Sequence, residues 1–147
     1  MKLETQIVGN IGMYYACYQL SKRGWNVMPT ARNARGIDII AYSPDGKRFL
    51  GIQVKTLSKR NPIPVGSSLN KVMGDFWVVV TRAVEPNPVA YIFTPEEIKN
   101  MAHRGGSTWW VEPPQYDNSA YKEAWDRIGV APVAQDRDVM SERSALP

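Results

Sequence analysis

Cysteine and histidine are nearly missing from this chain, with only Cys17 and His103 among its 147 residues. A single cysteine closes no internal disulfide, and one cysteine with one histidine cannot build the nitrogen and sulfur cage of a zinc site. Any metal held here is therefore held mainly by oxygen. Cys17 reads as a small buried hydrophobe, and the isolation of His103 argues against histidine-based hydrolysis. Long apolar runs are also missing. None approaches the ~18 residues that span a bilayer, and the first ten residues lack the basic-then-apolar order of a signal peptide. The expectation is a cytoplasmic protein with no membrane partner.

What is present is a chain 44% hydrophobic and 22% charged, enough to bury one sizeable core. A single domain over residues 1–129 is expected, followed by a polar, aperiodic stretch, 130–147, that reads as a flexible tail. The net charge of +4 is unevenly spread. Residues 21–60 carry nine Lys or Arg against Asp38 and Asp45, a balance of +7, while the residues after 60 balance to −3. A polyanion would dock on that basic third.

Apolar residues recur at helical spacing from Glu4 to Arg23 (Ile7, Ile11, Tyr14 or Tyr15, Tyr18), and Lys22, Arg23 and Gly24 are suitable last-turn residues. Gly9 and Gly12 weaken such a helix, so a strand passing close to it is expected. A short strand, Trp25 to Met28, leads into a polar loop ending at Gly36. Two β runs, Ile37 to Tyr42 and Arg48 to Lys55, flank Pro44-Asp45-Gly46, a turn signal that predicts a hairpin. Folding about that turn brings Asp38 opposite the stretch around Gln53. Residues 56–74 read as a long loop, Phe76 to Thr81 and Ala90 to Phe93 as strands, Thr94-Pro95 as a capped helix start, and Ser119 to Ile128 as a last helix.

Asp38, Gln53 and Lys55 are polar side chains in otherwise apolar strands, where burial is costly unless satisfied. Gln53 and Lys55 lie two apart and share a strand face. A carboxylate oxygen, an amide oxygen and a backbone carbonyl can together ligate a hard cation such as Mg²⁺ or Mn²⁺, with the lysine facing a phosphate. An ordinary Asp38–Lys55 cross-strand ion pair is the other reading of the same residues. Arg32, Asn33 and Arg35 precede Asp38, and Thr56, Lys59 and Arg60 follow Lys55. These six are candidate nucleic-acid contacts. Trp77, Trp109, Trp110 and Trp125 read as packing residues.

The ordered set of helix, strand, Gly36-Ile37-Asp38, hairpin and Ile52-Gln53-Val54-Lys55 resembles the PD-(D/E)xK nuclease superfamily, in its resolvase-like branch, over roughly residues 5–95. The resemblance implies a restriction-endonuclease-like α/β core, a mixed central sheet flanked by helices. It implies Asp38 as the first metal-binding acid, Gln53 at the position of the second, the Val54 carbonyl as backbone ligand and Lys55 as the catalytic lysine. Met13 stands where the family has a helix-one glutamate, and Gln53 is an amide where an acid is usual. The expected function is a metal-dependent endonuclease cutting DNA, with RNA as another possible substrate and a homodimer as the working unit. A nuclease-fold module that binds nucleic acid or protein without cleavage is the alternative.

Overall fold

The computed structural model describes residues 2–31 and 36–133. Helix α1, Thr5–Lys22, buries Gly12, Ala16 and Leu20, a stripe repeating every four residues. It stops as the sequence predicts: the Arg23 and Gly24 amides turn back to the Leu20 and Ser21 carbonyls, each at 3.0 Å, with Gly24 at φ 86°.

Strands β1 (Asn26–Pro29), β2 (Ile39–Tyr42) and β3 (Phe49–Thr56) form an antiparallel meander. The expected hairpin is there. Gly46 donates to the Ser43 carbonyl at 2.8 Å, and Asp45 accepts from the Ser43 hydroxyl at 2.6 Å and the Lys47 amide at 3.0 Å. Ile39 pairs with Ile52 and Tyr42 with Phe49.

The chain between β3 and the next strand of this sheet departs from the expected long loop. It contains β4 (Ile63–Gly66) and a 3₁₀ turn at Leu69–Lys71. Ile63 and Val65 alternate inward on β4, and Pro64 is tolerated because β4 is an edge strand. Strand β5 (Phe76–Thr81) then runs parallel to β3, and β6 (Val89–Phe93) pairs antiparallel with β5. The main sheet is thus five-stranded and mixed, in the order β1-β2-β3-β5-β6.

Helix α2, Pro95–Met101, starts in a capping box: the Thr94 hydroxyl accepts the Glu97 amide, and Glu97 accepts the Thr94 amide. Two strands absent from the sequence reading follow, β7 (His103–Gly105) and β8 (Thr108–Val111), then a single turn, α3 (Pro113–Tyr116). With β4 they build a second sheet, ordered β4-β8-β7.

The expected helix over Ser119–Ile128 is not formed, apart from a 3₁₀ turn at Trp125–Arg127. Its backbone is drawn to β6 instead: Ile92 donates to the Tyr121 carbonyl at 2.9 Å, Glu123 donates to the Ala90 carbonyl at 2.7 Å, and Glu123 has φ 49°. Within the expected tail, Ala131 is buried between exposed neighbours, and its amide donates to the Arg23 carbonyl at 2.9 Å. Residues 134–147 lie outside the described residues.

The main sheet is covered on both faces, which is why β5 is buried along nearly its whole length. On one face Ile52, Val78, Val80 and Ile92 pack with Ala16 and Leu20 of α1 and with Trp125. On the other, Trp77, Val79, Tyr91 and Phe93 pack with Ile63, Val111, Ile98 and Tyr116. Among the described residues, no helix is long and apolar enough to cross a membrane.

Candidate active site

Asp38 lies just before β2 begins, and both its backbone and its side chain bind β3. Its amide donates to the Ile52 carbonyl at 2.9 Å, and its carboxylate Oδ2 accepts the Val54 amide at 2.7 Å. These two bonds bracket Gln53. The carboxylate thus takes up the Val54 amide beyond the last β2–β3 pair, Ile39 with Ile52. A strand residue turns its N–H and C=O to the same neighbour, so the Val54 carbonyl faces the same edge.

Gln53 and Lys55 project from the opposite face to Val54, above the parallel partners Trp77 and Val79. Among the described residues, Gln53 Oε1 is the one buried side-chain polar atom with no hydrogen-bond partner. Lys55 Nζ stands 5.7 Å from the centroid of the Trp77 ring. Burial pushes the Lys55 pKa below the usual lysine value, and the charge of Asp38 opposes this less strongly. No ion pair joins Lys55 to Asp38 among the described residues, so the cross-strand pair reading is not what the geometry shows.

A lone buried acceptor costs roughly 1–3 kcal/mol, and Gln53 Oε1 has no donor among the described residues. An oxygen-seeking cation fits that donor set of Asp38, Gln53 and the Val54 carbonyl. The set carries only one carboxylate, and among the described residues no three His, Cys, Asp or Glu side chains converge anywhere. The attraction for a divalent ion is correspondingly modest.

The remaining candidates are dispersed. Thr56, at the end of β3, is pressed against Gly12 of α1, where an added Cβ would overlap the Thr56 side chain. This is the close approach the sequence predicts at Gly12, whereas Gly9 faces open space. Met13, the next residue, packs against the core on the α1 side. Lys59 is exposed. Arg60 is tied to Asp117 through an ion pair of 2.7 Å rather than standing free. Arg32, Asn33 and Arg35 lie outside the described residues.

Trp77 and Trp125 are buried as expected, Trp109 packs on the second core, and Trp110 donates to the Gly105 carbonyl at 3.3 Å. His103 is exposed and sits 2.9 Å from Glu112. Cys17 is half-buried, and burial raises its thiol pKa.

Sequence reasoning missed two participants. Trp77 underlies Lys55, but only the non-local β3–β5 register reveals that. Asp75 caps the other edge of β3 by accepting the Gly51 amide at 2.7 Å.

No protein-family model matches the chain, and no curated protein matches it. Among solved structures, a bacterial homing endonuclease, I-Ssp6803I, is similar over 86% of this chain and 93% of its own, with a TM-score of 0.58 and 21% identity. Hjc, a Holliday junction resolvase from the archaeal hyperthermophile Archaeoglobus fulgidus, aligns over 71% of this chain and 90% of its own, with a TM-score of 0.49 and 17% identity. At such identity the first likeness is one of fold. The restriction-endonuclease-like α/β core that the sequence led to expect is the fold observed.

Proposed function

We propose that this chain is a metal-dependent endonuclease that hydrolyses phosphodiester bonds of DNA at the Asp38–Gln53–Lys55 site. The observation that carries this reading is the buried, unpartnered Gln53 Oε1 between the two bonds that fix Asp38. A polar group kept unsatisfied at such cost is a candidate for function rather than folding.

In this reading Asp38, Gln53 and the Val54 carbonyl hold Mg²⁺ or Mn²⁺. The bound cation supplies Lewis-acid charge to a phosphoryl oxygen and eases ionisation of a water. Asp38 is oriented by the Val54 amide, which anchors Oδ2, so Oδ1 would be the carboxylate oxygen offered to a cation. Lys55, partly desolvated over Trp77, places its ammonium where it can hydrogen-bond a phosphate oxygen or the attacking water. A poorly hydrated cation of this kind interacts strongly with charge that develops beside it. Lys59, with Arg32, Asn33 and Arg35 before Asp38 and Thr56 after Lys55, would grip the backbone. Arg60 would serve mainly to hold its segment in place through Asp117.

One domain carries one such site, so cutting both strands of a duplex calls for a homodimer. The exposed Ile7, Tyr14 and Tyr18 on α1 give apolar surface that pairing could cover. The fold shared with a homing endonuclease supports DNA as substrate, while RNA offers the same phosphate chemistry.

The test is cleavage of supercoiled plasmid, linear duplex, branched DNA, single strands and RNA with Mg²⁺, Mn²⁺ or EDTA. Cutting that needs metal and is lost in Asp38→Ala and Lys55→Ala is expected. Absence of cutting, with salt-sensitive binding that ignores EDTA, would make the chain a binding module with a nuclease fold.

A further inference from the structure

Beyond the end of β3 the surface opens into a cleft of about 740 Å³. Leu3, Val8, Leu57 and Val84 line it with apolar surface, and Lys2 and Lys59 supply its charge. No acidic residue lines it among the described residues. A second hollow of about 410 Å³ shares Lys59 and Val84 and continues towards Arg60, Arg82 and Glu85, where Arg60 pairs with Asp117 and Arg82 with Glu85. Val84 is 48% exposed, so an apolar side chain is held open to solvent at the cleft's edge.

We propose that this cleft receives one unpaired nucleotide of a nucleic-acid strand, its base against the apolar residues and its flanking phosphates against Lys2 and Lys59. The proposal rests on the nuclease reading and names a substrate feature for it: a bulged, flipped or branch-point nucleotide.

Three observations carry it. The volume falls within the roughly 300–1,000 Å³ of small-ligand sites, ample for one nucleotide. The lining divides chemically as a nucleotide does, apolar for a π-face and cationic for phosphate. The position is also apt: the cleft begins at Thr56, on the α1 side of β3 and opposite to the face from which Lys55 projects, at the carboxyl ends of the parallel pair β3 and β5. Ligands of open α/β sheets gather at such strand ends. A base in a continuous duplex hides its faces in the stack and cannot reach the apolar surface, so the cleft discriminates for unpaired residues.

The test is fluorescence anisotropy in EDTA, so that cleavage plays no part, with three labelled DNAs: a paired duplex, the same duplex with a one-nucleotide bulge, and the bulge made abasic. Wild type should bind the bulged duplex about tenfold more tightly than the paired one, the worth of one buried base. The abasic bulge should lose that preference without any change to the protein. Val84→Trp, which fills the cleft from an exposed position, should bring bulge affinity down to the paired value, and Lys2→Ala with Lys59→Ala should weaken bulge binding most at low salt and flatten its salt dependence. Equal affinity for all three DNAs would overturn the cleft proposal and leave the nuclease reading intact. Failure to bind any DNA would overturn both.

Discussion

At the scale of single residues, Gln53 and Lys55 act against stability. An acceptor without a donor and an ammonium held over an indole both lose hydration with little return inside the protein. Replacing Gln53 by Met should therefore stabilise the fold by about 1 kcal/mol while removing metal-dependent activity. A raised urea midpoint with lost cleavage is the expected pair of results, and a lowered midpoint would show that the amide has a structural partner. Gln53→Glu should instead strengthen metal binding through its added charge. Asp38, Gln53 and Lys55 were legible in the sequence because they interrupt apolar strands on either side of a Pro-Asp-Gly turn that sets its own register. Trp77 was not, because its place beneath Lys55 depends on a parallel pairing between strands separated by β4.

At the scale of elements, the two glycines of α1 separate propensity from packing. Gly9→Ala meets nothing within 4 Å and should gain helix stability of about 1 kcal/mol. Gly12→Ala drives a methyl into Thr56 and should cost about 1–3 kcal/mol, part of it recovered by Thr56→Ala. Thermal unfolding of the three variants checks this. The segment after β3 is fastened by a different device: Arg60 pairs with Asp117 Oδ2, the Tyr91 hydroxyl donates to Asp117 Oδ1 at 2.8 Å, and the Tyr116 hydroxyl donates to the Asn61 carbonyl at 2.7 Å. The Arg60 guanidinium, and then the Tyr91 hydroxyl, hold the Asp117 carboxyl below its usual range. A depressed folded-state pKa contributes stability that is complete above the unfolded value near ~4 and fades as pH falls through the folded value. Asp117→Asn should thus be less stable than wild type at neutral pH, with the two converging in acid below pH ~4. Urea midpoints measured against pH would show a constant gap if the pair contributed nothing. Local signals succeeded where the element satisfies itself, as in the Thr94–Glu97 cap of α2. They failed for residues 119–128, whose amides and carbonyls find better partners on β6 than in a helix of their own.

At the scale of the whole molecule, the sheet is sandwiched by α1 on one side and by the smaller sheet with α2 and α3 on the other. That second layer joins residues 63–66 to 103–111, a contact of long sequence separation that no local pattern announces, and it turns an expected loop into part of the core. The charge run was readable in the sequence, but folding divides it: Lys55 lies on β3 and Lys59 just beyond its end, while Arg60 pairs with Asp117. The central claim is that Asp38 and Gln53 give this end of the sheet a cation site. Its most direct measurement is Mn²⁺ binding, by titration calorimetry or electron paramagnetic resonance, to wild type, Asp38→Ala and Gln53→Glu. The account predicts one weak site per chain, lost in Asp38→Ala and tightened in Gln53→Glu. Wild type that binds no Mn²⁺, or binding indifferent to both substitutions, would contradict it.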